Sequence, residues 1–252
     1  MTIADRDTDR HADTVLARVR KLLTKAEDPA ATAQEAEAYT AKASELMAAY
    51  GIDRALLAAS DPSLDVVGDR VIVLDRPYAA EKAQLVGQVA LSLRCRVVRR
   101  TRYPDGAKEL SVHLFGHRSD LQRVEILFTS LLLQAMQALS RTPVPGWDHP
   151  AAFRRSWLSG FSTSVGRRLE LAERAAAEHA EERFASSGTS TALVLADRSA
   201  AVEAARDAAY SDLEPASPRR LSGSGRAQGW AAGQRADLGG TRLSGARGQL
   251  RG

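Results

Sequence analysis

A single cysteine, Cys95, stands among 252 residues, so the chain can form no internal disulfide and no cysteine metal cluster. Aromatic residues make up only 5% of it, which points to a helical, alanine-rich interior. No apolar run approaches the roughly 20 residues that a helix needs to span a bilayer. The opening stretch, Met1 to Arg10, is polar and acidic and lacks the apolar core of a secretory signal. These absences predict a soluble, cytoplasmic, bacterial-type protein with no membrane partner. The Walker pattern is absent too: Ser222-Gly-Ser-Gly-Arg226 is glycine-rich, but no Gly-Lys-Ser/Thr follows, and a flexible linker is the expected reading.

What is present is charge, unevenly placed. The net charge is +4. From Pro218 onward seven arginines, among them Arg219, Arg220 and Arg226, face one acidic residue, Asp237, a balance of +6 that leaves residues 1–217 at −2. Basic tails of this kind meet nucleic acid or anionic surfaces, or simply keep a protein in solution.

The apolar pattern sets the architecture. Val15, Leu16, Val19, Leu22, Leu23 and Ala26 fall on one helical face. Asp28-Pro29 ends that helix, because proline disfavours helical geometry in the residue before it. Thr32-Ala-Gln-Glu35 reads as a capping box opening a second helix. Its inner face is Ala36, Tyr39, Thr40, Ala43, Leu46, Met47 and Tyr50. Gly51 is read as its terminator and Asp53 as the cap of a short third helix through Leu57.

Beyond a linker at Ser60–Ser63 the pattern changes. Val71–Leu74 reads as a strand and Lys82–Leu93 as a helix. Cys95–Tyr103 and Leu110–Phe115 read as two extended runs joined by the turn Pro104-Asp-Gly106. Ser119 or Asp120 is expected to cap a helix with Leu121, Val124, Leu127, Phe128, Leu131, Leu132, Ala135 and Leu139 inside. After the break Pro143-Val-Pro-Gly146, a long helix runs from about Pro150 to Phe184. Phe153, Trp157, Phe161, Val165 and Leu169 face its core side, and Gly160 beside them permits a tight crossing. Ala192–Leu195 is expected as a further strand, with Asp197 capping a helix to Tyr210. A short helix around Trp230 offers the small-residue face Gly229-x-x-x-Gly233. The fold class is α+β and predominantly helical. It comprises an N-terminal helical hairpin (8–60), a larger α+β domain with a small, mainly antiparallel sheet (64–212), and a basic Gly/Ser/Arg-rich tail (213–252).

The residues Val19-Arg-Lys-Leu-Leu-Thr-Lys-Ala-Glu, Thr32-x-x-Glu-Ala-Glu-Ala-Tyr and Ala43-x-x-Leu-Met-x-x-Tyr-Gly-Ile-Asp carry a resemblance. Together they resemble the bacterial and phage family catalogued as domain of unknown function 2786, over roughly residues 12–58. Arg94-Cys-Arg-Val-Val, Leu114-Phe-Gly-His-Arg-Ser-Asp120 and Arg155-Ser-Trp-Leu-x-Gly-Phe look like the companion domain that often follows it. The resemblance implies no activity that transfers residue by residue. Its occurrence in phages and mobile elements is compatible with work on nucleic acid, by association only.

Catalytic and metal constellations are few. His113 and His117, with Asp120 beyond, have the spacing of a metal pair only on a helix, and here they straddle a strand end and Gly116. Asp5, Asp7 and Asp9 imitate the opening of a calcium loop, but Arg10 and Leu16 stand where glycine and glutamate are required. Cys95 is expected to be a buried, inert thiol facing opposite Arg94 and Arg96. No catalytic set, cofactor or metal is assigned.

One constellation survives. In an extended run Arg94, Arg96, Val98, Arg100 and Arg102 share a face, and Arg99 takes the other. Such a ribbon can lie along a phosphate backbone, or be a solvated face paired with carboxylates such as Glu109. Arg154, Arg155, Arg167 and Arg168 add a second basic surface. The leading expectation is a non-enzymatic accessory protein contacting the phosphate backbone of DNA or RNA through Arg94, Arg96, Arg100, Arg102, Arg219, Arg220 and Arg226. Two other readings stay open. One is a protein-interaction module acting through the N-terminal hairpin, and the other a hydrolase with a site near His113, His117 and Asp120.

Overall fold

The computed structural model describes residues 14–19, 21–25, 33–184, 190–214 and 219–236. Helix α1 occupies residues 14–19 and 21–25 and buries Leu16, Val19 and Leu23, the face its spacing predicts. Ala26, the Asp28-Pro29 stop, the Thr32 capping box and the Asp5–Asp9 run lie outside the described residues, as do the arginines beyond Arg235.

Helix α2 is continuous over Ala33–Ser60. This corrects the reading of Gly51 as a terminator and Asp53 as a cap. Ala43, Met47, Tyr50, Ile52, Ala55 and Ala58 are all buried, so tertiary packing on both sides of Gly51 carries the helix through it. The chain then turns at Pro62–Leu64, where Asp61 accepts from the Ser63 amide at 3.0 Å.

Three strands follow, β1 (Val67–Leu74), β2 (Arg96–Arg102) and β3 (Glu109–His117). They form one antiparallel sheet in the order β1-β3-β2, so β2 is an edge strand. Register assigns the faces, because directly opposed residues project to the same side. Ile72, Leu74, Leu110, Val112, Leu114 and Val97 share one side and enter the main core. Phe115, His113 and Val98 share the other. The β2–β3 turn is Pro104–Gly106, with Asp105 at φ 50° and Gly106 at φ 77°, which is the demand glycine meets.

Helix α3 (Ala79–Ser92) covers the first side, burying Leu85, Val86, Val89 and Ala90. Helix α4 (Arg118–Arg141) leaves β3 directly and buries Leu121, Val124, Leu127, Leu131, Ala135 and Leu139. Neither Ser119 nor Asp120 caps it. Both lie within its first turn, and the Ser119 amide donates 2.9 Å to Asp65 from a different segment. Helix α5 (Pro150–Phe184) has the predicted span and stripe, with Phe153, Trp157, Phe161, Val165 and Leu169 all buried. Trp157 and Phe161 stack with ring centroids 5.6 Å apart. Each such ring stabilises the fold by about 1.5–3 kcal/mol through area removed from water.

Helix α6 is one helix over Thr191–Ala209, capped by Ser190, whose hydroxyl accepts from the Leu193 amide. The expected strand at Ala192–Leu195 is therefore helical, and Asp197 is an interior residue. Short apolar runs of this kind fit either period, and here the cap decided. Through Val202 and Ala205, α6 packs on Val98 and Phe115 on the second side of the sheet. Helix α7 (Arg226–Arg235) lies along α5. A Cβ on Gly160 would strike the Arg226 carbonyl, and one on Gly229 would strike that of Trp157, so the backbones touch at these glycines. The linker reading of Ser222–Arg226 is corrected: Gly225 is buried against Phe153 and Trp157. A single buried cluster runs from Leu16 of α1 to Ala236 after α7. Among the described residues no helix is long and apolar enough to cross a membrane.

Candidate nucleic-acid interface

The arginines of the β2 segment divide into those the protein neutralises and those it leaves open. Arg94 precedes the strand with φ 63°, so strand alternation does not govern it. This corrects its placement on the ribbon face. Its guanidinium turns inward, 2.9 Å from Glu173 of α5 and 3.9 Å from Asp120 of α4. There it joins a buried ionic network. Arg123 of α4, with no solvent exposure, donates to Asp120 at 2.8 Å and to Glu173. Arg198 of α6 reaches Asp65 at 2.8 Å and Asp120 at 3.2 Å. Burial alone would lower the pKa of Arg123, but Glu173 and Asp120 outweigh it and hold the guanidinium above its ordinary value. Burial likewise pushes Asp65 up, yet the Ser119 amide and hydroxyl together with Arg198 win and hold its carboxyl below the usual range. Charges buried and paired in this way are structural: they join α4, α5 and α6.

Arg96, Arg100 and Arg102 share a side of β2 with Val98, as alternation predicts. Arg96 pairs with Glu203 of α6 at 3.5 Å. Arg100 is half-buried and Arg102 exposed, and neither has an ion-pair partner among the described residues. Glu109 stands opposite Arg102 in the register without forming an ion pair. Arg99 projects to the other side and is exposed, beside Arg76 and Lys108. Those last two were missed in the sequence because each stands alone in a turn. The β2–β3 hairpin brings Lys108 to Arg99, and the pairing of β1 with β3 brings Arg76.

The tail is partly absorbed by the fold. Arg219 pairs at 2.6 Å with Glu81, a carboxylate buried in the first turn of α3. Arg220 and Arg226 are exposed. Arg226 sits on α7, against α5 and away from the sheet. Of the second basic surface, Arg154, Arg155 and Arg167 are exposed, whereas Arg168 donates to the Gly233 and Ala236 carbonyls and holds the end of α7.

The histidines do not converge. His113 lies between Asp69 and the Tyr210 hydroxyl, each at 2.8 Å. His117 meets the Asp65 carbonyl oxygen at 2.7 Å through Nδ1. Four residues along one strand separate their backbones by about 13 Å, and Asp120 is held by Arg123 and Arg198. Among the described residues no group of three or more His, Cys, Asp or Glu side chains is placed to hold a metal ion. Cys95 is buried as expected, and burial first, with Asp120 adding to it, pushes its thiol far above the ordinary value.

Comparison with known proteins bears on the N-terminal helices. Residues 14–54 match the model of the family described as Protein of unknown function (DUF2786), the family their motif resembles. The matched segment covers α1 and most of α2. No curated protein and no solved structure matches the chain.

Proposed function

We propose that this protein is a non-enzymatic, nucleic-acid-associated factor that contacts the phosphate backbone through strand β2 and the hairpin it opens. One observation carries the reading. Along an edge strand, Arg99, Arg100 and Arg102 remain unpaired among the described residues, while neighbouring Arg94 and Arg96 are neutralised by Glu173 and Glu203. A fold that has carboxylates at hand for some arginines and withholds them from the next leaves a cationic edge facing outward. Arginine suits a backbone contact because its planar fork of donors matches phosphate oxygens. Arg220 and Arg226 extend the positive field on other surfaces and supply attraction rather than register. The family-matched helix α2 packs on α4, α5 and α6 and serves as scaffold.

The test is fluorescence anisotropy of labelled single- and double-stranded oligonucleotides against salt, comparing the native chain with an Arg100→Ala/Arg102→Ala double variant. Binding should weaken steeply with salt, and the double variant should lower the slope of log K against log salt by about 0.9 per lost contact on duplex, or about 0.7 on single strands. No retention of either nucleic acid at low salt, or a slope the variant leaves unchanged, refutes the reading.

A further inference from the structure

The side of the sheet that α3 covers is not fully closed. Where Leu74, Leu110 and Thr101 lie side by side across the three strands, a cleft of about 410 Å³ opens. That volume lies at the lower end of the range for small-ligand sites. Leu74, Leu110, Ala79 and Ala80 form its apolar floor. Four cations line it from four separate segments: Arg76 after β1, Arg99 on β2, Lys108 before β3 and Arg219 before α7. Among the described residues no carboxylate lines it.

One of these charges, Arg219, is paired within the protein, and the other three are not cancelled. Glu81 is almost wholly buried, and its ion pair fixes Arg219. Arg76 leans on the Lys108 carbonyl oxygen at 3.5 Å. Arg76, Arg99 and Lys108 form no ion pair among the described residues. Three uncompensated like charges facing one concavity repel one another, and a wall of one sign focuses its field there. The amino end of α3 adds to that field. Tyr78 takes a left-handed conformation at the cap with no side-chain hydrogen bond to the helix, so the first amides, at Ala79 and Ala80, have no intrahelical acceptor.

We propose that this cleft is a binding site for a compact phosphate anion, a diphosphate group or the terminal phosphate of an ester. Guanidinium forks, an ammonium and helix-end amides are the donors that tetrahedral oxyanions take. Among the described residues no aromatic ring lines the cleft, so these offer no platform on which a base would stack. The site reads the phosphate and leaves the rest of the molecule outside. It shares Arg99 with the cationic edge but does not need nucleic acid: the phosphate can be free or can end a strand.

Isothermal titration of the full chain with pyrophosphate, in a buffer free of phosphate, tests the site directly. In parallel, one single-stranded oligonucleotide is titrated with a 5′-phosphate and with a 5′-hydroxyl. Arg76→Ala and Lys108→Ala are the variants, both exposed side chains outside the core, with thermal unfolding as the control for folding. Pyrophosphate should saturate a single site, and each variant should weaken it by at least about tenfold, the worth of one charge-assisted hydrogen bond. A preference for the 5′-phosphorylated strand, competed by pyrophosphate, would make a strand end the source. Pyrophosphate binding with no affinity for either strand would make it a free phosphate compound, and would sustain the cleft while refuting the backbone reading. Absence of saturable pyrophosphate binding, or binding that both variants leave intact, overturns the site whatever the oligonucleotides do.

Discussion

Gly51 of α2 lies against the guanidinium of Arg123 on α4 so closely that a Cβ at position 51 would overlap it. The contact joins the family-matched helix to the buried ionic network. It places Arg123, with Asp120 and Glu173 on either side, beneath a stretch of bare helix backbone. Glycine is here a means of close approach in mid-helix, although its position after Tyr50 imitates a stop.

Gly51→Ala distinguishes the two roles by sign. Helix propensity alone predicts a gain of about 1 kcal/mol. Overlap with a guanidinium that cannot move without breaking its ion pairs predicts a loss of about 1–3 kcal/mol. Urea unfolding should show a lower midpoint, and a midpoint at or above that of the native chain would mean that the contact is loose.

Asp65 ties stability to acid pH. Its folded pKa lies below the ordinary value, so its contribution is complete above the unfolded value of about 3.9 and is lost as pH falls through the folded one. Asp65→Asn should be less stable at neutral pH and should show a shallower loss below about pH 4. Thermal melts across an acid series read both, and parallel curves for variant and native chain would contradict the assignment.

Arg94 and Arg102 should behave as opposites. Arg94→Gln leaves Glu173 without one of its partners and should destabilise the fold by about 1–3 kcal/mol while leaving the salt dependence of nucleic-acid binding unchanged. Arg102→Gln should stay within about 0.5 kcal/mol of native stability and should flatten that dependence. A matched melt and anisotropy series separates them, and a flattened slope for Arg94→Gln would return it to the ribbon.

At the α5–α7 crossing, Gly229→Val should free the last helix, because a side chain there enters the Trp157 carbonyl. Trypsin should then cut after Arg226 and Arg235 well before the rest of the fold opens. Cleavage no faster than in the native chain would show that α7 can shift to absorb the change.

Cys95 should report on global unfolding. Burial raises its pKa and shields it, so a thiol reagent at neutral pH should react only as denaturant exposes the core. Rapid reaction in the folded state would refute the packing of Cys95 against Gly116.

Periodicity alone located most elements, and the long helix most completely. Five core residues at four-residue spacing, a proline at its start and a glycine for the crossing all agreed, and the structure has α5 over Pro150–Phe184. Sequence reading failed where one local signal stood for two structures. Gly51 and Asp197 look like helix ends because glycine and aspartate are common there. Buried neighbours on both sides overrode the first, and the Ser190 cap overrode the second. Strand alternation placed Arg96 to Arg102 correctly but not Arg94, whose positive φ no pattern announces. The cleft was invisible for a related reason: Arg76, Arg99, Lys108 and Arg219 are far apart in the chain and share no motif.

Spacing and composition along the chain were enough for the faces of most helices, the hairpin turn, the solitary buried thiol and the surplus of arginine, because each is a short-range property. Which arginines are spent inside the protein and which face outward was decided only by the tertiary structure. Pairing depends on where Glu173, Glu203 and Glu81 arrive when α5, α6 and α3 pack, and a charge is neutralised by proximity in space, which spacing along the chain does not encode.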